Sequence, residues 1–231
     1  SKNNEIKVNS RINKWKDITS NEMKTYIGII LWMSIHKCSQ ISDHWSTDLL
    51  YESNFHKFMS YNKFINIHKF FHTANNDDIS NLDDSIYKIK QILVHFTMLW
   101  RTYYEIKSHL AIDEAMIKFD GRLAFKQYMK QKPTKWGIKT FLMCDSMTGY
   151  CYKLNIYHGK DDQKLDEKLT KSENIILRFM NTVYQKGITI YMDNFYLGPG
   201  IIENFTKSGI KCIGTVKKNR ILSCKVSLII K

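Results

Sequence analysis

The spacing of apolar residues changes once along the chain, close to residue 108. Before that point apolar residues recur every three or four positions, as at Ile89, Ile92 and Phe96, which is typical of one face of an α-helix. After it, apolar and polar residues alternate within short runs, which is the pattern of a β-strand with one buried face. The sequence therefore predicts an all-α region over residues 1–107 and a mixed α/β domain over residues 108–231.

Capping residues and these two periods indicate the elements of each region. Three helices are predicted in the first region, in DITSNEMKTYIGIILWMSIHK, in MSYNKFINIHKFFHT and over residues 85–107. The second region should contain elements in the order β, β, β, α, β, α, β, with its first strand in HLAIDEAMIKF and its fourth in ITIYMDNF. These two strands can be neighbours if the intervening hairpin extends the sheet and the helix makes the crossover.

Each of these two strands carries an aspartate. Asp113 shares its face of the first strand with the small residues Ala111 and Ala115, and Asp193 stands where the fourth strand ends. Two aspartates brought together repel each other unless a divalent cation binds between them. Their oxygen ligands suit Mg²⁺ or Mn²⁺, so the pair is a candidate metal site.

The residues alone leave a second interpretation open. Asp113 could instead pair with a cation from the segment between Lys118 and Lys139, and Asp193 could cap the helix that follows it. A buried carboxylate without any partner costs several kcal/mol, on the order of a domain's whole stability, so one of the two arrangements is required.

Charge distribution points to a polyanionic partner. The chain has 35 Lys and Arg residues against 22 Asp and Glu, a net charge of +13. Between Lys118 and Lys139 basic residues alternate with aromatic ones, and Asp120 is the sole acid. Basic and aromatic side chains together suit phosphate contacts and base stacking. A solvated basic surface is the alternative.

The sequence disfavours a membrane-spanning, secreted, zinc-stabilised or disulfide-stabilised protein. The longest apolar run, between Tyr26 and Met33, is too short to cross a bilayer, and no signal-peptide pattern is found. The five cysteines show no CxxC spacing, so neither a structural zinc site nor a disulfide framework is predicted. We expect a soluble intracellular protein with no membrane partner.

The motifs around the two aspartates resemble those of a known family. AIDEAMIKFDGRLAFKQYMKQKPTKWGIKTFLMCDSMTGY resembles the core of piggyBac-type transposases, and ITIYMDNFY resembles the segment that carries their second aspartate. Upstream, WKDITSNEMKTYIGIILWMSIHK and MSYNKFINIHKFFH resemble the helical dimerisation and DNA-binding region of the same family. The resemblance extends from about Trp15 to Arg220.

This resemblance implies an RNase H-like core with a mixed sheet and flanking helices. In the family three aspartates and two divalent cations, Mg²⁺ or Mn²⁺, cut transposon ends and join DNA strands. Asp113 and Asp193 match the first and second aspartate, and Asn194 would lie next to the metals. The matching residues expected to contact the DNA backbone are Arg122, Tyr128, Lys132, Lys135 and Lys139.

The resemblance also implies partners and a location. The expected partners are double-stranded DNA, as transposon terminal repeats and target, and a second copy of the chain in a homodimer. No small-molecule substrate is expected. A nuclear location follows.

One departure from the family concerns the third aspartate, which follows the second at a greater distance than the rest of this chain allows. Glu203 is the only acid after Asp193 and lies too close in sequence to serve, and no cysteine-rich zinc-binding segment is present. We therefore expect impaired cleavage from this chain as written. A catalytically inactive, domesticated DNA-binding remnant and an interaction domain that needs no nucleic acid are the alternatives.

Overall fold

The structure, a computed structural model, describes residues 15–48, 50–51, 53–75, 84–159, 165–181, 183 and 187–216. It divides into two compact units, Ser1–Thr73 and Ala74–Lys231. No helix of the described residues is long and apolar enough to cross a membrane.

The first unit is helical. Helix α1 spans Ser20–Ile35 and helix α2 spans Tyr61–Phe70, with short 3₁₀ helices at Ile41–Trp45 and Phe55–Lys57 between them. Both helices begin at a side-chain cap, since Thr19 forms a capping box at the start of α1 and Ser60 caps α2. The core of this unit consists of Tyr26, Ile29, Phe55, Met59, Phe64 and Ile67.

The described residues of the second unit form three helices and a six-stranded sheet. The helices are α3 (Tyr87–Tyr103), α4 (Lys171–Met180) and α5 (Pro199–Lys207). The strands are β1 (His109–Lys118), β2 (Gln127–Tyr128), β3 (Trp136–Asp145), β4 (Cys151–Ile156), β5 (Thr189–Met192) and β6 (Lys211–Gly214).

The sheet is mixed, as predicted. Strand β1 lies between β3, which is antiparallel to it, and β5, which is parallel to it. Strand β6 extends the sheet beyond β5, while β2 and β4 pair with different ends of β3. All seven predicted elements of this region are present. The two-residue strand β2 was not predicted, because two residues show no period, and the predicted ends of α4 and β6 lie outside the described residues.

Helices α4 and α5 cover one face of the sheet. Leu110 and Ile112 of β1 are fully buried in a core that includes Ile176 of α4 and Ile201 of α5. A single carboxylate holds the beginnings of both helices, because Glu173 completes the capping box of α4 and also accepts a hydrogen bond from the amide of Ile201 at 3.1 Å. Since side chains alternate along a strand, the other face carries Asp113.

Helix α3 packs against the sheet of the second unit. The ring of Tyr104, directly after α3, stacks on Tyr150 at 4.0 Å between centroids, and the Tyr150 hydroxyl donates to the carbonyl oxygen of Trp100. The compact unit that contains α3 begins at Ala74, and the predicted division of the chain at residue 107 stays a prediction. The functional assignment of the two regions stays a prediction.

Candidate divalent-cation and nucleic-acid site

The pairing of β1 with β5 places the two predicted aspartates side by side. Ile112 is paired with Met192 in the last register position of this parallel pair, and the next residues on the two strands are Asp113 and Asp193. Neighbouring strands lie about 4.8 Å apart, and aligned residues point to the same face. Asp113 therefore lies on the face opposite α4 and α5, Asp193 directly follows the strand beside it, and both residues are exposed.

The residue that follows strand β6 places a hydroxyl beside Asp193. Gly214 at the end of β6 pairs with Met192, and Thr215 follows it. The Thr215 hydroxyl donates to Oδ1 of Asp193 at 3.3 Å. A side chain at Gly214 would overlap the carbonyl oxygen of Met192, so glycine allows β6 to approach this closely. The site thus has a hydroxyl oxygen in contact with the carboxylate of Asp193.

The second carboxylate of β1, Glu114, is much less accessible than the first. Its side chain is 17% exposed, against 63% for Asp113. The buried Tyr196 hydroxyl donates to Oε2 of Glu114 at 2.9 Å, and the Glu114 amide donates to Oδ1 of Asp113 at 2.8 Å. Glu114 is therefore held in place while one edge of Asp113 stays open.

Lys132 also lies against this carboxylate pair. Its Nζ is 3.9 Å from Oδ2 of Asp113 and 3.7 Å from Oε1 of Glu114, and it donates to the main-chain oxygen of Glu114 at 2.9 Å. The alternative interpretation is thus correct for Asp113, which does pair with a cation of the basic segment. The carboxylate of Asp193 contacts Thr215 instead, while its main-chain oxygen accepts from Tyr196 and Leu197.

The pKa values of the two adjacent carboxyls are shifted in opposite directions from their ordinary values. Burial raises the pKa of Asp113, and the charge of Glu114 raises it further, against the Glu114 amide, which lowers it. Burial would also raise the pKa of Glu114, but the hydrogen bond from Tyr196 and the charges of Lys132 and Lys139 lower it overall. The surroundings of Glu114 thus favour its charged form, whereas those of Asp113 disfavour it.

The predicted DNA-contacting residues divide into two groups. Lys132 and Lys139 turn inward: Nζ of Lys139 lies 5.0 Å from the ring centroid of Phe141 and 5.4 Å from that of Phe195. The side chains of Arg122, Tyr128 and Lys135 are exposed.

An exposed aromatic pair lies within this segment. Tyr128 packs against Trp136 with ring centroids 4.8 Å apart, and both are more than half exposed. Nζ of Lys126 lies 5.7 Å from the Trp136 centroid. Tyr128 and Trp136 come together because β2 pairs with the start of β3. Two aromatic faces beside a cation form a surface on which a base can stack.

The donor set fits a hard divalent cation, but it is incomplete. Among the described residues no group of three or more His, Cys, Asp or Glu side chains comes together. Glu203 on α5 pairs with Lys207 one turn later and does not complete the site. Asp113, Asp193 and the Thr215 hydroxyl supply the oxygen ligands that Mg²⁺ prefers, with the Lys132 ammonium beside them.

Three residues of this site were not predicted as functional. Glu114 directly follows Asp113 in the sequence, and Tyr196 lies in the same short motif as Asp193, so both could have been found there. Thr215 gives no such signal, because its position depends on the pairing of β6. The predicted role of Asn194, which is half-buried directly after Asp193, stays a prediction.

Known proteins resemble this chain over nearly its whole length. The family model described as Transposase IS4 matches residues 2–227. PiggyBac transposable element-derived protein 3 from Homo sapiens is 24% identical over 211 residues, which cover 88% of this chain and 35% of that protein. The structure also matches a piggyBac transposase synaptic complex with hairpin DNA, solved by cryo-EM, with a TM-score of 0.77 and 24% identity over 92% of this chain and 46% of that one.

Fold and comparisons together define a mixed α/β protein with an RNase H-like core. The chain belongs to the Transposase IS4 family and is of the piggyBac type. It spans about a third of the length of the human relative and less than half of the matching structure's chain.

Proposed function

We propose that this chain binds DNA and supplies two carboxylates, Asp113 and Asp193, to a divalent-metal-dependent site for cleavage and strand transfer at transposon ends. The observation that carries the proposal is that Asp113 and Asp193 directly follow Ile112 and Met192, which are paired across the adjacent parallel strands β1 and β5. Family membership supports the same reaction class.

In this proposal Asp113 and Asp193 hold the metal, Mg²⁺ or Mn²⁺, and Thr215 fixes the orientation of Asp193 through its hydrogen bond. Two such ions, when bound, neutralise the attacking and leaving oxygens of an in-line displacement at phosphorus. The hydrogen bond from Tyr196 to Glu114 holds strand β1 in place next to Asp113. The nucleophile is water in the cleavage step and a 3′-hydroxyl in strand transfer.

DNA would be positioned by the basic segment. Arg122 and Lys135 are exposed and suited to phosphate contacts, which supply affinity without sequence information. Tyr128 and Trp136 offer stacking surfaces for unpaired bases near a processed end. We propose duplex DNA, as terminal repeats and target, as the partner, a homodimer as the working assembly and the nucleus as its location.

With two carboxylates, the 231 residues studied alone should bind metal weakly and cleave DNA poorly. The test is to mix the purified chain with family-type terminal repeats and Mn²⁺. Binding without cleavage is expected. Abundant hairpin or nicked products that disappear in Asp113→Asn would show instead that these residues form a complete site.

A second candidate function is a catalytically inactive DNA-binding protein. It is favoured by Lys132, whose ammonium lies within 4 Å of Asp113 and Glu114 and so offsets their charge without a metal. Asp113→Asn distinguishes the two functions, because only the first predicts that this variant loses divalent-cation binding while it keeps DNA binding. A protein that needs no nucleic acid would show no salt-dependent affinity for duplex DNA.

A further inference from the structure

Two cysteines face each other across the hairpin of β3 and β4. Cys144 lies next to the end of β3 and Cys151 begins β4, and the two are paired across the hairpin just after a register shift between Met143 and Cys144. Direct partners in an antiparallel pair point to the same face, with Cα atoms about 4.5–5.5 Å apart. A disulfide requires Cα atoms about 4.4–6.8 Å apart. The pairing therefore brings the two cysteines within the separation that a disulfide requires, and their thiols are hydrogen-bonded to each other.

Their surroundings make the two thiols unequal. Both are free and partly exposed. A hydrogen bond from the Cys151 thiol lowers the pKa of Cys144 to about 7, although burial opposes it. The same bond, together with burial, raises the pKa of Cys151 well above its usual range. The thiolate is the nucleophile in thiol chemistry, so Cys144 is the attacking sulfur and Cys151 the resolving one.

The other cysteines of the described residues lack this arrangement. Burial raises the pKa of Cys212 to about 12. Cys38 lies in the first unit, where its sulfur is 3.6 Å from Nδ1 of His44. Each of them lacks a second cysteine opposite it among the described strand pairs. The Cys144–Cys151 pair is thus set apart by geometry.

We propose that Cys144 and Cys151 form a redox-reactive dithiol site whose substrates are low-molecular-weight disulfides such as oxidised glutathione. The Cys144 thiolate attacks one sulfur of the glutathione disulfide, whose S–S bond breaks, and the departing thiolate takes up a proton. Cys151 then loses its proton to solvent and attacks the Cys144 sulfur, which releases the second glutathione. Two protein thiols are oxidised by two electrons and the small disulfide is reduced to two thiols.

This site uses none of the residues proposed for metal or DNA binding. Cys144 is nevertheless paired with Ala111 of β1, two residues before Asp113. A disulfide would therefore link β3 covalently to β4, next to the strand β1 that carries Asp113.

The test uses the full chain, reduced and then incubated with oxidised glutathione near neutral pH. Remaining thiols are trapped with N-ethylmaleimide, and peptides are identified by mass spectrometry. We expect a peptide that links Cys144 to Cys151. In Cys151→Ser a glutathione adduct should persist on Cys144. In Cys144→Ser, oxidised glutathione should react with Cys151 at least ~10-fold more slowly than it reacts with Cys144 in Cys151→Ser. Cys38→Ser serves as the matched control and should leave the linked peptide unchanged.

A second measurement needs no variant. In the reduced wild-type chain Cys144 should alkylate at least ~10-fold faster than Cys212 at neutral pH, because more of it is thiolate. The proposal is overturned if Cys144 reacts no faster than Cys212, or if the wild-type chain yields no Cys144–Cys151 linkage.

Discussion

Nζ of Lys132 lies 3.9 Å from Oδ2 of Asp113, so a residue matched to a DNA-contacting position instead contacts the first carboxylate of the candidate site. A bound cation would have to share Asp113 with this ammonium. Lys132→Gln should therefore raise the affinity for Mn²⁺ about two- to five-fold, which corresponds to the modest energy of a partly exposed ion pair. Calorimetric titration measures it, with Lys135→Gln as control, since Lys135 is exposed. An unchanged or lower affinity in Lys132→Gln would show that Lys132 does not compete.

The exposed aromatic pair should contribute to DNA affinity differently from the cations. Stacking on Trp136 is worth about 1–3 kcal/mol per base and depends little on salt. Trp136→Ala should therefore weaken binding to single-stranded or frayed DNA ends while the salt dependence is retained. Arg122→Gln should instead reduce the slope of log K against log salt by about one. Fluorescence anisotropy at several salt concentrations separates the two effects, and equal slopes in both variants would contradict this division.

Tyr196 should stabilise the fold mainly while Glu114 is charged. The pKa of Glu114 is lowered in the folded state, so its contribution to stability is present above its unfolded pKa and is lost as pH falls through the folded value. Tyr196→Phe removes a hydrogen bond to a partly buried carboxylate, at a cost of about 1–3 kcal/mol near neutral pH. Denaturant unfolding at several pH values should show this difference shrinking in acid. A difference that stays constant or grows on acidification would argue against the charged hydrogen bond.

Glu173 should contribute more to stability than an ordinary capping residue. Its buried carboxylate accepts hydrogen bonds from Thr170 and from the amide of Ile201, and so joins the starts of two helices. Glu173→Ala leaves these donors unpaired and should lower the free energy of unfolding by about 2–4 kcal/mol. Glu22→Ala removes the corresponding residue of the exposed capping box of α1 and should have a much smaller effect. Equal losses in the two variants would refute the double role.

The order of the elements and the position of the two aspartates could be predicted from sequence because both depend on local periods. The alternation around Asp113 fixed its face, and the crossover rule made β1 and β5 neighbours. The contact of Lys132 with Asp113 could not be predicted from spacing alone, because a long flexible side chain chooses among many rotamers. The alternative interpretation nevertheless allowed for such a pair.

The sequence pattern could not predict to which unit α3 belongs, for a different reason. A helical period shows that one face is apolar, but it does not show which surface covers that face. In the structure the contacts of Trp100 and Tyr104 with Tyr150 associate α3 with the sheet. Thr215 is a similar case, since its place beside Asp193 depends on β6 pairing with β5.

Mn²⁺ binding to the purified chain and to its aspartate variants tests the central claim most directly. Asp113→Asn and Asp193→Asn are compared with Asp120→Asn, which removes an exposed carboxylate paired with Lys118 at 3.5 Å. If Asp113 and Asp193 share one cation site, each of their single variants should lose the signal of protein-bound Mn²⁺ that the wild-type chain shows in electron paramagnetic resonance. Asp120→Asn should keep this signal. Undiminished Mn²⁺ binding in either Asp113→Asn or Asp193→Asn would contradict the shared site.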